Sequence, residues 1–386
     1  MKIVYCIHFT CVAGGMQRVL TQKANYLADV LGYEVVIITT DQKNQLPFFS
    51  LSSRIVQYDL DVNYSDNKGS FLKQYFTLLS KKRKHKTALE KLLFELKADI
   101  VISMFDKEAS FLCDIKDGSR KVLEFHYSKY FRKYTSQGIT WKFLSYFLNR
   151  QDEQSVKNFD RFVVLTYEDR EDWGKLPNME VIPNPCAFKT TCCSDTSSNR
   201  VIAVGRYSVQ KGFDRLIDCW NIIHQEYPDW TLEIFGDGEL RSLLQSKIDH
   251  LELNDTISLK SVTTHIKDEY LHSSIFVLPS RFEGLPLVLI EAMECGVPPV
   301  AFTCKCGPKD IIENGINGFL VKNGDIEAFA DILIQLMADQ DLRKKIGMNA
   351  KQAMVKYTEE NVMKKWELLF GELMEGTCRT KISNKD

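Results

Sequence analysis

Between Ile275 and Val300 the chain reads as a strand, a glycine turn and a helix in direct succession, and few folds accept that order repeated along a polypeptide. Ile275-Phe-Val-Leu278 is apolar at every position, as a parallel strand covered on both faces must be. Gly284-Leu-Pro286 breaks the run, and Leu287 to Cys295 carries helical spacing that Gly296 stops. The same order recurs twice. Lys2 to His8 is followed by Gly14-Gly15 and a helical pattern through Val19, Leu20, Ala24 and Leu27; Val201 to Val204 is followed by Gly205, Gly212 and then Phe213, Leu216, Ile217 and Trp220. Further apolar runs at Glu34–Thr39, Ile100–Met104, Val122–Phe125, Thr231–Phe235, Ile257–Lys260 and Pro299–Phe302, with Arg161–Thr166 as the last strand of its sheet, complete an alternation that predicts an α/β protein with doubly wound parallel sheets.

A chain of 386 residues exceeds what one hydrophobic core usually supports, so two domains are expected. The break falls at the rigid stretch Glu180-Val-Ile-Pro183-Asn184-Pro185 and the Thr-, Ser- and Cys-rich residues up to Arg200, which divides the chain into domains of residues 1–183 and 199–357. Thr358 then caps a last helix with Val362, Trp366 and Leu369 on one face.

Composition removes several function classes. No apolar run approaches the ~20 residues of a membrane-spanning helix, and the first eight residues lack the features of a signal peptide, so a cytoplasmic location is expected. The 11 cysteines carry no Cys-x-x-Cys spacing, which favours reduced thiols over a zinc site. Net charge is −1, but residues 1–180 carry +5 and residues 181–386 carry −6. Much of the positive excess lies between Phe71 and Lys97, with eight Lys or Arg and two Glu. That localised patch suits one anionic surface and not nucleic acid along the whole chain. Tyr127 to Phe147 is a second basic and aromatic segment.

Candidate site residues cluster where strands end and helices begin. Gly14 and Gly15 let a phosphate or sugar approach the backbone at a helix start, although a plain connecting turn has the same composition. The spacing is not Gly-x-Gly-x-x-Gly, which weakens an oxidoreductase reading. His126 stands at the C-terminal end of a strand, the edge where ligands gather in open α/β sheets. Arg206 and Lys211, five apart beside a strand end, are suited to neutralise a diphosphate. Glu283 sits on the turn before the helix, and Glu291 lies two helical turns further along.

Glu283 and Glu291, with seven residues between them, resemble the Glu-x7-Glu signature of the retaining, nucleotide-sugar-dependent glycosyltransferases of family four. Gly14-Gly15, His126, Arg206 with Lys211, and Gly236-Asp-Gly-Glu239 match further family features along almost the whole chain. The resemblance implies a GT-B fold, two Rossmann-like domains facing across a cleft, with the final helix (358–375) crossing back onto the first, acceptor-side domain. It implies that Glu283, Gly284 and Leu285 grip the donor sugar, Glu291 holds the ribose, Arg206 and Lys211 steady the departing diphosphate, His126 lies by the reaction centre, and Gly14 and Gly15 face the donor diphosphate. Gln17 stands where many members carry Glu, and Ser261 where many have Gly.

The expected function is therefore metal-independent retaining transfer of a hexose or N-acetylhexosamine from a nucleotide sugar, with a lean to UDP. The acceptor would be a lipid-linked glycan or oligosaccharide in bacterial surface polysaccharide synthesis. Two alternatives stay open: a nucleotide-sugar-binding module without turnover, and a metal-dependent transferase using Asp59 and Asp61. Phe71 to Ser80 followed by Lys81-Lys-Arg-Lys-His-Lys86 also predicts peripheral attachment to an anionic membrane surface.

Overall fold

The computed structural model describes residues 1–66, 71–132 and 148–382, with backbone alone for residues 71–73, 75 and 376–382. Most of the basic, aromatic segment at Tyr127–Phe147, including Tyr134, Trp141, Phe143, Tyr146 and Phe147, lies outside the described residues.

The first sheet has seven parallel strands: β1 (Lys2–Cys6), β2 (Glu34–Thr39), β3 (Val56–Asp59), β4 (Ile100–Ser103), β5 (Arg120–Phe125), β6 (Arg161–Val164) and β7 (Met179–Val181), in the order β3-β2-β1-β4-β5-β6-β7. The helix α1 (Gly15–Asn25) joins β1 to β2, and α2 (Phe71–Leu96) joins β3 to β4. The second sheet has six: β8 (Arg200–Val204), β9 (Thr231–Phe235), β10 (Ile257–Lys260), β11 (Ile275–Leu278), β12 (Pro299–Phe302) and β13 (Phe319–Val321), in the order β10-β9-β8-β11-β12-β13. Both are α/β sheets that wind outward from their first strand, so the order reverses between β1 and β4 and again between β8 and β11. The carboxyl ends of strands at such reversals open a crevice that no crossover helix covers.

Alternation along each strand divides the apolar side chains between two faces. Ile3, Tyr5 and Ile7 join one core while Val4 and Cys6 join another; Val201 and Ala203 face one way and Ile202 the other. One correction concerns the end of the first sheet. Arg161–Val164 is not its last strand: Met179–Val181 pairs with it in parallel, inside a stretch whose prolines read as connector. Three residues ahead of Ile182-Pro183 are too few to show strand periodicity.

The chain crosses between the sheets twice, and the two crossings touch where the Cys186 N–H donates to the Tyr357 carbonyl at 2.8 Å. The Thr358 hydroxyl then caps the final helix, Glu359–Ile382, by accepting from the Asn361 N–H at 3.4 Å. Val362, Met363, Trp366, Leu369, Phe370 and Leu373 of that helix are buried against Ile3, Tyr5, Leu20 and Ala24 of the first domain. Among the described residues no helix is long and apolar enough to cross a membrane.

Candidate active site

Each half of the site follows from a tight turn at a sheet's reversal point. After β8, Gly205 leaves room for the Lys211 side chain: a Cβ there would stand 3.1 Å from Lys211 Cδ. Gly212 adopts φ +68°, a left-handed conformation that favours glycine, and a Cβ on it would stand 2.2 Å from the Pro279 carbonyl oxygen. The two turns of the second domain are thus pressed together, and their charged side chains meet. Lys211 Nζ donates to Glu283 Oε1 at 2.8 Å, and Ser280 Oγ donates to the same oxygen at 2.6 Å. Glu283 is buried, and its own N–H is fixed by the Lys305 carbonyl at 2.9 Å. Beyond it Pro286 caps the helix Leu287–Glu294 with its carbonyl, which accepts from the Leu289 N–H at 3.0 Å.

Lys305 and Lys309 pair with Glu168 and Asp172 of the first domain, and three further contacts between the domains lie at the candidate residues themselves. A Cβ on Gly15 would lie 3.7 Å from Leu287 Cδ1, so the glycine loop faces the helix start. A Cβ on Gly284 would lie 2.6 Å from the His126 carbonyl oxygen, a distance that only glycine avoids. An Arg18 Nη2 donates to Glu291 Oε1 from the first turn of α1. Gln17 folds back over Gly14 within its own domain, where a Cβ on Gly14 would stand 2.2 Å from its Oε1.

His126 does not stand alone. Its Nε2 lies 3.2 Å from Glu124 Oε1. Glu124 in turn accepts from the fully buried Lys23 Nζ at 2.7 and 2.6 Å on its two oxygens, and Lys23 sits 3.7 Å from the ring centroid of Trp366 on the final helix. Burial alone would push the Glu124 carboxyl up; Lys23 and His126 overcome it and hold it down at about 2. Glu291 shows the opposite balance, since its burial outweighs Arg18, Tyr270 and Lys211 and raises its pKa. Sequence reasoning passed over Arg18, Lys23 and Glu124. Only Glu124 left a signal: it lies on β5 two residues before His126, a spacing at which alternation along an extended chain puts both side chains on one side.

Arg206 stands apart from the Lys211–Glu283 pair. It is largely exposed, and its Nε lies 3.3 Å from Glu239 on the Gly236–Glu239 turn. Asp59 and Asp61 lie at edge strand β3: Asp59 accepts from Thr39 Oγ1 at 3.1 Å and the Lys43 N–H at 3.3 Å, and Asp61 accepts from Asn63. Among the described residues the one group of three metal-ligand side chains is Asp169, Asp172 and Cys306, away from Asp59 and Asp61. Its members are already engaged, Asp169 by the Lys129 N–H and Trp173 Nε1 and Asp172 by Lys305.

Known proteins resemble this chain along most of its length. Residues 194–353 match the family model described as glycosyl transferases group 1, and residues 13–187 match that described as glycosyltransferase family 4. An uncharacterized glycosyltransferase of Haemophilus influenzae is 30% identical over 373 residues, covering 95% of this chain and 99% of the relative. The Campylobacter jejuni enzyme named GalNAc-alpha-(1->4)-GalNAc-alpha-(1->3)-diNAcBac-PP-undecaprenol alpha-1,4-N-acetyl-D-galactosaminyltransferase is 27% identical over 385 residues, covering 97% and 99%. Among solved structures, a variant of S. aureus TarM in complex with fondaparinux, alpha-GlcNAc-glycerol and UDP superposes with a TM-score of 0.77 at 18% identity, covering 96% of this chain and 99% of that one. With two facing parallel-sheet domains and these matches along its length, the chain belongs to the family 4, group 1 glycosyltransferases of the GT-B fold.

Proposed function

We propose that this glycosyltransferase moves a hexose or N-acetylhexosamine from a UDP-sugar to a polyprenyl-diphosphate-linked glycan, with retention of anomeric configuration and without a metal, in bacterial surface polysaccharide assembly. The observation that carries the reading is the set of three contacts across the crevice, Gly15 to Leu287, His126 to Gly284 and Arg18 to Glu291, which bring the candidate donor residues of both domains to one place. The names of the Campylobacter and TarM relatives support the lipid-linked acceptor and the uracil base.

In this mechanism the diphosphate lies over the turns after β8 and β11. Lys211 and Arg206 take up the charge that develops as the bond from the anomeric carbon to phosphate breaks. The acceptor hydroxyl attacks the same face of the sugar, and the leaving phosphate oxygen receives its proton. Glu283, held by Lys211 and Ser280, grips sugar hydroxyls, and His126 closes the sugar site from the first domain. Glu291 binds the ribose. A panel of UDP-, GDP- and ADP-sugars in thermal shift tests the donor: a ligand at 100 times its Kd stabilises by about 2.7 kcal/mol. UDP-sugars should raise Tm most, and release of UDP in single-turnover assays should persist in EDTA. No stabilisation by any of them would sink the reading, and loss of turnover in EDTA would remove its metal-independence.

Membrane attachment follows the same reading, with its surface redrawn by the fold. Phe76, Leu78 and Leu79 of α2 are exposed, but His85 is buried against Tyr64, Lys81 and Lys84 donate to the Asn63 and Asp61 carbonyls, and Lys86 pairs with Asp114 at 2.7 Å. Of the basic run, Lys82 and Arg83 alone have no ion-pair or hydrogen-bond partner among the described residues. Binding to anionic liposomes should weaken about fivefold for each of Lys82→Ser and Arg83→Ser, at about 1 kcal/mol per charge, and less for Lys86→Ser. Equal co-sedimentation with neutral liposomes, or none with anionic ones, would defeat attachment and leave the transferase standing.

A further inference from the structure

We infer that Arg18 completes the ribose site from the opposite domain: it is a positioning residue that fixes the Glu291 carboxylate and keeps it charged, so that donor binding depends on the two domains standing in this arrangement. The inference rests on the proposed role of Glu291 as the ribose ligand.

An ionised carboxylate offers about four lone-pair sites on two oxygens. In Glu291, Oε1 accepts from Arg18 Nη2 and Oε2 accepts from the Tyr270 hydroxyl at 3.3 Å. Two acceptor sites remain, the number that the vicinal hydroxyls of a ribose require. Arg18 and the ribose therefore share the carboxylate and do not compete for it. Tyr270, from the helix Ile266–Leu271, is fully buried and belongs to the same domain as Glu291, so it is present whatever the domains do. Arg18 is different. It comes from α1, three residues after Gly15, and retains 29% side-chain exposure, whereas the Glu291 side chain retains 2%.

The surroundings explain why the arginine is needed. The groups that face Glu291 are Arg18 from α1, Tyr270 from its own domain, Lys211 from the turn after β8, and the Cys186 and Cys295 thiols. Both thiols are buried and pushed above the usual range, so neither supplies charge at neutral pH. Lys211 is bonded to Glu283. Arg18 is thus the cation bonded to a carboxylate whose burial already raises its pKa. Without it no bonded cation opposes the burial of Glu291, and protonation turns one of its acceptor oxygens into a donor, which weakens its grip on the two ribose hydroxyls.

Isothermal calorimetry of UDP, GDP and ADP, which share one ribose, tests this from pH 6 to pH 8.5. For whichever wild type binds best, Arg18→Ala should raise Kd by about tenfold or more at pH 6.5, the scale of a hydrogen bond to a charged group. Since a carboxylate ionises as pH rises, the deficit should shrink toward pH 8.5. Arg18→Lys should restore most of the affinity, and Glu291→Gln should bind weakly at every pH with no further loss when Arg18→Ala is added. A pH-independent loss in Arg18→Ala, or affinity equal to wild type while Glu291→Gln is impaired, overturns the role of Arg18 alone. Unchanged affinity in Glu291→Gln overturns the ribose assignment, and no binding of any nucleotide by wild type removes the proposed function with it.

Discussion

Glu283→Gln and Lys211→Ala are each expected to lower kcat by roughly 10²-fold or more, the usual loss when a preorganised charge contact at a reacting centre is removed. Lys211 Nζ and Ser280 Oγ both bond Glu283 Oε1, so the carboxylate and the ammonium form one rigid unit at the crevice. Deleting either member disorganises the other, and residues that act as a unit are not additive. The double variant should therefore lose little more than the worse single one. Arg206→Ala should lose less than Lys211→Ala, because Arg206 is exposed and pairs with Glu239, outside the Lys211–Glu283 unit. Steady-state release of the nucleoside diphosphate measures all four. Turnover near wild type in Glu283→Gln or Lys211→Ala would remove the charge pair from the chemistry, and multiplicative losses in the double variant would separate their roles.

Lys23→Met should be the most damaging substitution for stability, at about 3–5 kcal/mol, because it strands a fully buried carboxylate. Its pH dependence has a definite sign. The Glu124 carboxyl is held at about 2 in the folded chain and titrates near 4.3 when unfolded, so its contribution is complete above that value and is lost as pH falls through about 2. The deficit of Lys23→Met in denaturant unfolding should therefore be large at pH 7 and narrow as pH falls below about 4. Adding Glu124→Leu should recover much of the loss, since apolar replacement of a whole buried pair is often neutral. A deficit below about 1 kcal/mol at pH 7, or one unchanged at pH 3, would contradict the ion pair as the cause.

The fold was legible in the sequence because its signals are local. An apolar run of four or five residues, a glycine and a helical stripe sit next to one another, and the turns carrying Gly14, Lys211 and Glu283 stand where that pattern put them. Lys211 meeting Glu283 could not be read, since 72 residues separate them and the contact depends on β8 and β11 being neighbours. Arg18 was further out of reach, 273 residues from Glu291 and in another domain. The basic run of α2 misled for the same reason. A charge count treats every lysine as free, while the loop after β3 supplies carbonyls to Lys81 and Lys84.

The final helix has a consequence for how the protein is made. The ribosome finishes β7 roughly 180 residues before it reaches Val362, and at ~5–20 residues per second that interval lasts roughly 10 to 40 s. Throughout it the nascent first sheet presents Ile3, Tyr5, Leu20 and Ala24 with no Trp366 or Phe370 to cover them, and the Lys23–Glu124 pair lacks its aromatic roof. The second domain, continuous from β8 onward, is complete before the first. The first domain is therefore begun earliest and covered last, and the apolar face under the final helix is the part of this chain exposed longest during synthesis.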